Sequence, residues 1–277
     1  MKVAIQGVQG SFHHRVAQEF FGTDVVVVEC MSFPSLVDTL LEGEVQDAVM
    51  AIENSIAGAI LPNYALLDNN DLHIEGEFYL DIQHHLMALP GQDIATLKEV
   101  WSHPMAILQC REFFRNYPHI KLVEDTDTAG VAREIQEKQL QGIGAIASAA
   151  AASIYKLAII KESIQTITDN ATRFFILNQE KKQTTAIIDK ASLRFSTDHK
   201  RGSLAAILNV LSDCKMNLTK IQSMPIIEKP WKYAFFVDVT FEKIESFNKA
   251  VQLLEIMAND FKVLGAYKNR KHDATSK

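Results

Sequence analysis

From Lys2 to about Asp169 the chain alternates short apolar runs with stretches of helical periodicity, and that alternation leaves few architectures open. Strands separated by helices build a sheet covered on its faces, so the pattern predicts an α/β fold. Lys2–Gln6 reads as a strand, after which Phe12, Val16 and Phe20 fall on one helical face. Residues 47–52 (DAVMAI) make another strand, preceded by a helix capped at Ser32. Residues 72–89 read as extended, and Pro90-Gly91 breaks them. A second round follows. Ile107, Cys110, Phe114 and Tyr117 line one helix, Val131 and Ile135 another, and residues 144–147 form a short strand before an alanine-rich helix. Two similar lobes account for this economically.

The rhythm changes after residues 180–185 (EKKQTT), which are polar and aperiodic and predict a domain boundary. Leu193 and Phe195 alternate as a strand, and Leu204, Ile207, Leu208 and Leu211 form a helix stripe. Residues 218–224 are extended. Phe235, Val237, Val239 and Phe241 then alternate at period two, and Phe247, Ala250, Val251, Leu254 and Met257 form a second stripe before a last strand near 261–267. The order is βαββαβ, a ferredoxin-like unit.

Composition narrows the partners. With 47% hydrophobic and 22% charged residues among 277, disorder is not the default. A net charge of −6 argues against a nucleic-acid footprint, and the basic residues 268–271 lie in a polar tail. The N-terminus lacks the apolar core of a signal peptide, and no run approaches a membrane span. Cys30, Cys110 and Cys214 are scattered without CxxC spacing, which predicts a reducing compartment, the cytoplasm, and neither a disulfide frame nor a zinc site.

Four polar clusters stand at the ends of predicted strands, where open α/β sheets hold ligands. Gly7-Val8-Gln9-Gly10-Ser11 joins a strand to a helix whose free amides can hold an anion, although Ser11 also suits a simple N-cap. Glu53-Asn54-Ser55 ends a strand and also suits local capping. Ser102-His103-Pro104 precedes a helix carrying Gln109. In Asn170-Ala171-Thr172-Arg173-Phe174 an arginine stands at a core entrance, where it needs a partner, whether a ligand or a structural carboxylate. The pairs His13-His14 and His84-His85 point their rings different ways and predict no metal site.

Taken together these clusters resemble prephenate dehydratase. GVQGSF at 7–12, AIENSIAG at 51–58, SHPMAILQC at 102–110, AIAS at 145–148 and NATRFFIL at 170–177 occur in the family's order, followed by the βαββαβ module. The resemblance implies a catalytic domain over 1–182 with two lobes like those of periplasmic binding proteins. Lobe 1 would take 1–79 with 160–182, and lobe 2 would take 80–159, with hinges near Leu80 and Ile160. It implies an ACT regulatory domain over 187–270, a polar tail at 271–277, a monofunctional form without a chorismate mutase region, and a homodimer or homotetramer. No cofactor is implied.

The implied reaction takes prephenate to phenylpyruvate with loss of carbon dioxide and the ring hydroxyl. By family correspondence Thr172 is the essential hydroxyl, a hydrogen-bond donor to the departing oxygen or a relay. Glu53, beside a dianion, would keep its proton and be a second donor. Arg173 is expected to hold the pyruvyl carboxylate, with helix-start amides near Ser11 and Ser148. Asn54, Ser55, Ser102 and Gln109 would position the ring, and Phe174 completes the substrate-binding set. The phenylalanine site would fall on Gly202, Ser203, Leu204, Asn217, Gln222, Ser223, Met224 and Pro225. There the family's Gly-Ala-Leu-Val and Glu-Ser-Arg-Pro are replaced by Gly202-Ser203-Leu204-Ala205 and Gln222-Ser223-Met224-Pro225, which puts effector binding in question. In the catalytic half, Ser11 replaces a frequent threonine and Met105 a frequent glutamine. An arogenate dehydratase and a non-catalytic amino-acid sensor are the alternatives.

Overall fold

The computed structural model describes residues 1–181, 187–198, 200–226 and 229–271. The predicted boundary at 180–185 and the tail at 271–277 lie mostly outside these. The chain divides into two compact units, the first formed by Met1–Gly58 and Tyr79–Phe174 and the second by Ala59–Phe78 and the chain from Phe175 onward.

In chain order, β1 (Lys2–Gln6), α1 (Phe12–Phe21), β2 (Val26–Cys30), α2 (Phe33–Leu41), β3 (Asp47–Asn54) and the short β4 (Gly58–Ala59) come first. After α3 (Leu61–Asn69) and β5 (His73–Asp81) come β6 (His85–Ala88), β7 (Glu99–Ser102), α4 (Pro104–Phe114) and β8 (Lys121–Glu124). Next are α5 (Thr128–Lys138), β9 (Ile143–Ala147), α6 (Ala149–Ile154), β10 (Ala158–Lys161) and β11 (Ala171–Asn178). The last elements are β12 (Lys190–Ser196), α7 (Ser203–Asp213), β13 (Asn217–Pro225), β14 (Tyr233–Thr240), α8 (Ile244–Met257) and β15 (Asn259–Tyr267).

One sheet has the order β2-β1-β3-β11-β5, with β4 beside β3. Val3, Ala4 and Ile5 are consecutive and fully buried, because β1 pairs in parallel with β2 and β3 and has both faces covered. The second sheet has the order β10-β6-β9-β7-β8. Ala129, Val131, Ala132 and Ile135 of α5 pack in one of its apolar clusters, and Ala106, Ile107, Cys110 and Phe114 of α4 in another. These two sheets with their helices form two α/β lobes.

Residues 72–89, expected as one extended segment, are two strands in different sheets. The chain leaves β5, crosses at 82–84 and enters β6; it returns between β10 and β11. The two crossings satisfy each other's backbone groups. Ile82 N donates to Asn170 O at 2.7 Å, Ile164 N to His84 O at 2.8 Å, and His84 N to Gln165 Oε1 at 3.0 Å.

The second unit holds the predicted βαββαβ module, with sheet order β13-β14-β12-β15 and all seven residues of β12 buried. Segment 59–78 belongs to this unit through specific contacts. Arg194 Nε meets Asp68 Oδ1 at 3.0 Å, the Tyr64 and Phe236 rings lie 5.1 Å apart, and a Cβ on Gly265 would collide with the Ile74 carbonyl. Lys190 Nζ lies 2.9 and 2.8 Å from the two Glu77 carboxylate oxygens, both side chains being buried. Removing one partner takes a close counter-ion from a buried charge, whereas removing both does not. Glu77→Gln or Lys190→Met alone is therefore expected to cost about 3 kcal/mol, and Glu77→Leu with Lys190→Met much less than the sum, read from urea midpoints.

Candidate active site

The clusters at 53–55, 109 and 170–174 converge where the chain crosses between the sheets of the first unit. Asn54 ends β3, and its Oδ1 accepts from Ile56 N at 3.1 Å and Ala57 N at 2.9 Å, a local turn that holds the side chain. Its Nδ2 lies 2.7 Å from Asn170 Oδ1, 3.0 Å from Thr172 Oγ1 and 3.3 Å from Ala171 O. Asn170 Nδ2 donates to Gln109 Oε1 at 2.9 Å, and the same oxygen lies 2.9 Å from His84 Nε2. Ser55 and Ala171 tie the two segments together: Ser55 N donates to Ala171 O at 2.8 Å, and Ala171 N to Ser55 Oγ at 3.0 Å.

Successive side chains of a strand point to opposite faces. On β11, Thr172 shares its face with Phe174, while Arg173 points the other way. Arg173 is 3% exposed, with Nη1 3.9 Å from Glu53 Oε2 and its guanidinium 5.9 Å from the Tyr79 ring centroid. Asn54 and Glu53 alternate on β3 in the same manner. The arginine at the core entrance therefore has a carboxylate and an aromatic face as neighbours. By this alternation Glu53 and Arg173 lie on the strand faces opposite Asn54 and Thr172. Phe174 is core, its ring 5.0 Å from His13 in an edge-on contact.

The other expected substrate contacts divide. Ser102 is fully buried and donates to Ile146 O at 2.7 Å, bracing β7 against β9. Ser148 caps α6 through Ala151 N and donates to Gly10 O at 2.6 Å, so its hydroxyl is used twice. Ser11 caps α1 by accepting from His14 N at 3.2 Å. The Phe12 and His13 amides, at the start of that helix, have no partner among the described residues. Gly10, with φ +86°, passes so close to α6 that a Cβ would fall 2.8 Å from Ala151 Cα.

Three other histidines act as neutral acceptors for backbone amides. His13 Nε2 accepts from Ala51 N, His14 Nδ1 from Gly10 N, and His85 Nδ1 from Ser163 N. Among the described residues no group of His, Cys, Asp or Glu is arranged to hold a metal, and no helix is long and apolar enough to cross a membrane. His84 and Asn170 also join the polar cluster. Asn170 lay inside a quoted motif, but no sequence signal marks His84, whose place follows from the crossing.

In the second unit, Gly202, Ser203 and Leu204 line a cavity of 610 Å³ with Thr197, Asp198 and Arg201. Asn217 and residues 222–225 lie on β13 and are not among its lining residues.

The prephenate dehydratase family model matches residues 3–182. The chain belongs to the prephenate dehydratase family. A relative, arogenate dehydratase/prephenate dehydratase 2 of Arabidopsis thaliana, is 35% identical, the match covering 96% of this chain and 72% of the relative. The crystal structure of Arthrobacter aurescens prephenate dehydratase in complex with L-Phe superposes with a TM-score of 0.88, at 23% identity and over 97% of this chain and 90% of that one. A structure described as the quorum-quenching acylase GqqA also gives 0.88, at 25% identity and over 99% and 100%. Prephenate dehydratases are lyases, and the family model spans β1 to β11 and ends before β12.

Burial pulls His13 down to about 3 and His84 to about 4 from an ordinary 6.5. Below pH 6.5 the unfolded chain therefore binds protons that the folded protein refuses. Stability from these groups is complete above about pH 6.5 and falls as the pH drops toward 4, by about 1.4 kcal/mol per pH unit for each histidine. Urea midpoints at pH 7 and pH 5 check this: His13→Gln should flatten the slope, and an unchanged slope in that variant would rule His13 out.

Proposed function

We propose that the chain converts prephenate to phenylpyruvate, releasing carbon dioxide and, once its ring hydroxyl has taken up a proton, water. Aromatisation drives the reaction, so the protein's task is to hold the ring and assist a poor leaving group. One observation carries this reading: Thr172 Oγ1 accepts from Asn54 Nδ2 at 3.0 Å, which leaves the threonine's own hydrogen free to hydrogen-bond the departing oxygen, while solvent supplies the proton that makes it water. An acyl-transfer nucleophile needs a base to take that hydrogen. Here the neighbour is a donor, which disfavours an acylase.

The dianionic substrate needs donors, and the Phe12 and His13 amides at the start of α1, with the Gln109 carboxamide, are suited to its carboxylates. Arg173 and Glu53 act from behind, bracing β11 and β3. The name of the Arabidopsis relative makes arogenate the second substrate to test.

The C-terminal module is assigned to L-phenylalanine. Gly202, with φ +85°, turns the chain into α7, where the Leu204 and Ala205 amides have no partner among the described residues and face an amino-acid carboxylate in the 610 Å³ cavity. The departures at Gln222 and Met224 are not among its lining residues, which favours retained binding. A cytoplasmic homodimer or homotetramer is the assembly we assign.

Purified protein should turn over prephenate, followed as phenylpyruvate, and be inhibited by L-phenylalanine; arogenate in its place, followed as phenylalanine, tests the second substrate. Thr172→Ser should keep most of kcat while Thr172→Ala loses about 100-fold or more. Equal loss in both would remove the hydroxyl from the mechanism, and turnover of neither substrate by the wild type would remove the function.

A further inference from the structure

Hydrogen-bond polarity can be followed residue by residue from the backbone outward. Ile56 N and Ala57 N can only donate, so the end of the Asn54 carboxamide that they touch is its oxygen. Its NH₂ then faces Asn170 and Thr172. The Asn170 atom that meets it must be an acceptor, which turns the Asn170 NH₂ toward Gln109. Gln109 in turn must present its oxygen, and that oxygen also meets His84 Nε2. An oxygen without hydrogen can only accept. His84 Nε2 therefore carries the proton, and Nδ1 is bare.

The far end agrees independently. His84 Nδ1 is buried and has no hydrogen-bond partner among the described residues, so no group there competes to impose the other tautomer. A carboxamide that gives its oxygen to two donors turns its NH₂ away from both, and the Gln109 NH₂ has no partner among the described residues.

We propose that Asn170 is a positioning residue whose hydrogen bonds lock the Gln109 and Asn54 carboxamides, with His84 taking the tautomer that Gln109 imposes, so that Thr172 and Gln109 both present donors to the substrate. The proposal rests on the dehydratase reading for its kinetic consequence, but its structural content does not. Three neutral carboxamides pass one polarity from two backbone amides at 56–57 to a histidine ring. None of them gains or loses a proton; each only limits which way its neighbour can point. The outcome is a donor surface, suited to a substrate rich in carboxylate and carbonyl oxygens.

The test uses substitutions that keep shape and reverse polarity. In the ligand-free protein, ¹⁵N spectra of the histidine rings should show His84 as the Nε2–H tautomer from pH 5.5 to 8. Asn170→Asp still accepts from Asn54 but can no longer donate to Gln109, so the Gln109 carboxamide should flip and present its NH₂ to the ring. His84 should then change to the Nδ1–H tautomer. Asn54→Asp still accepts from Ile56 and Ala57 but takes the Thr172 hydrogen for itself, so kcat should fall by about 100-fold. KM should change much less. A wild-type His84 in the Nδ1–H form, or a folded Asn170→Asp protein with its tautomer unchanged, would overturn the proposal. So would Asn54→Asp with wild-type kcat. If the wild type turns over neither prephenate nor arogenate while the tautomer behaves as stated, the functional reading fails and the relay stands.

Discussion

The first unit depends on the chain crossing twice between two sheets, with the crossings bonded to each other. Neither crossing segment, 82–84 or 162–170, belongs to a regular ladder, yet Ile82, His84, Ile164, Gln165 and Asn170 within them are buried and their backbone groups must find partners. They find them in one another, through Ile82 with Asn170, Ile164 with His84, and the Gln165 side chain with the His84 amide. This brings Asn170 and His84, far apart in the chain, to the end of β3 and the middle of α4. The polar cluster is therefore a product of how the sheets are joined, and its residues come from four separate stretches of chain.

Much of the architecture was legible because periodicity reports burial. The consecutive apolar residues of β1 and β3 and the stripes on α4, α5 and α7 follow from sheets covered by helices and helices covered on one face. The break within 72–89 was not legible. Apolar residues run through Leu80, Ile82 and Leu86, and periodicity cannot register that the chain changes sheets when both are buried. Asn54, Gln109 and Thr172 stood out as polar residues at strand ends or early in helices. Thr172 and Arg173, adjacent in the motif, separate onto opposite faces of β11, a consequence of the two-residue repeat that motif matching ignores. His84 was weighed as half of a histidine pair, whereas its role depends on a partner 25 residues away.

The second unit handles polarity differently. Its buried charges are paired at close range, Lys190 with Glu77 and Arg194 with Asp68, and these pairs hold segment 59–78 to the four-stranded sheet. Neutral amides at the crossing define direction, since each has a donor end and an acceptor end. Ion pairs define only proximity. A site that must present hydrogen toward a leaving group gains from the first kind; a module that must keep a distant segment attached is served by the second.

The hydrogen bonds around Asn54 also bear on how the protein ages. An asparagine converts to aspartate when the nitrogen of the next residue attacks its side-chain carbonyl carbon and forms a five-membered imide. At Asn54 that nitrogen belongs to Ser55, and its N–H is held by Ala171 O at 2.8 Å, while the side-chain oxygen is held by Ile56 and Ala57. The attacking and attacked groups are both restrained by partners in the folded chain. The one spontaneous covalent change that would reverse the hydrogen bond on Thr172 is thereby slowed by the same contacts that orient it, and chemical lifetime and hydroxyl direction share a single structural cause.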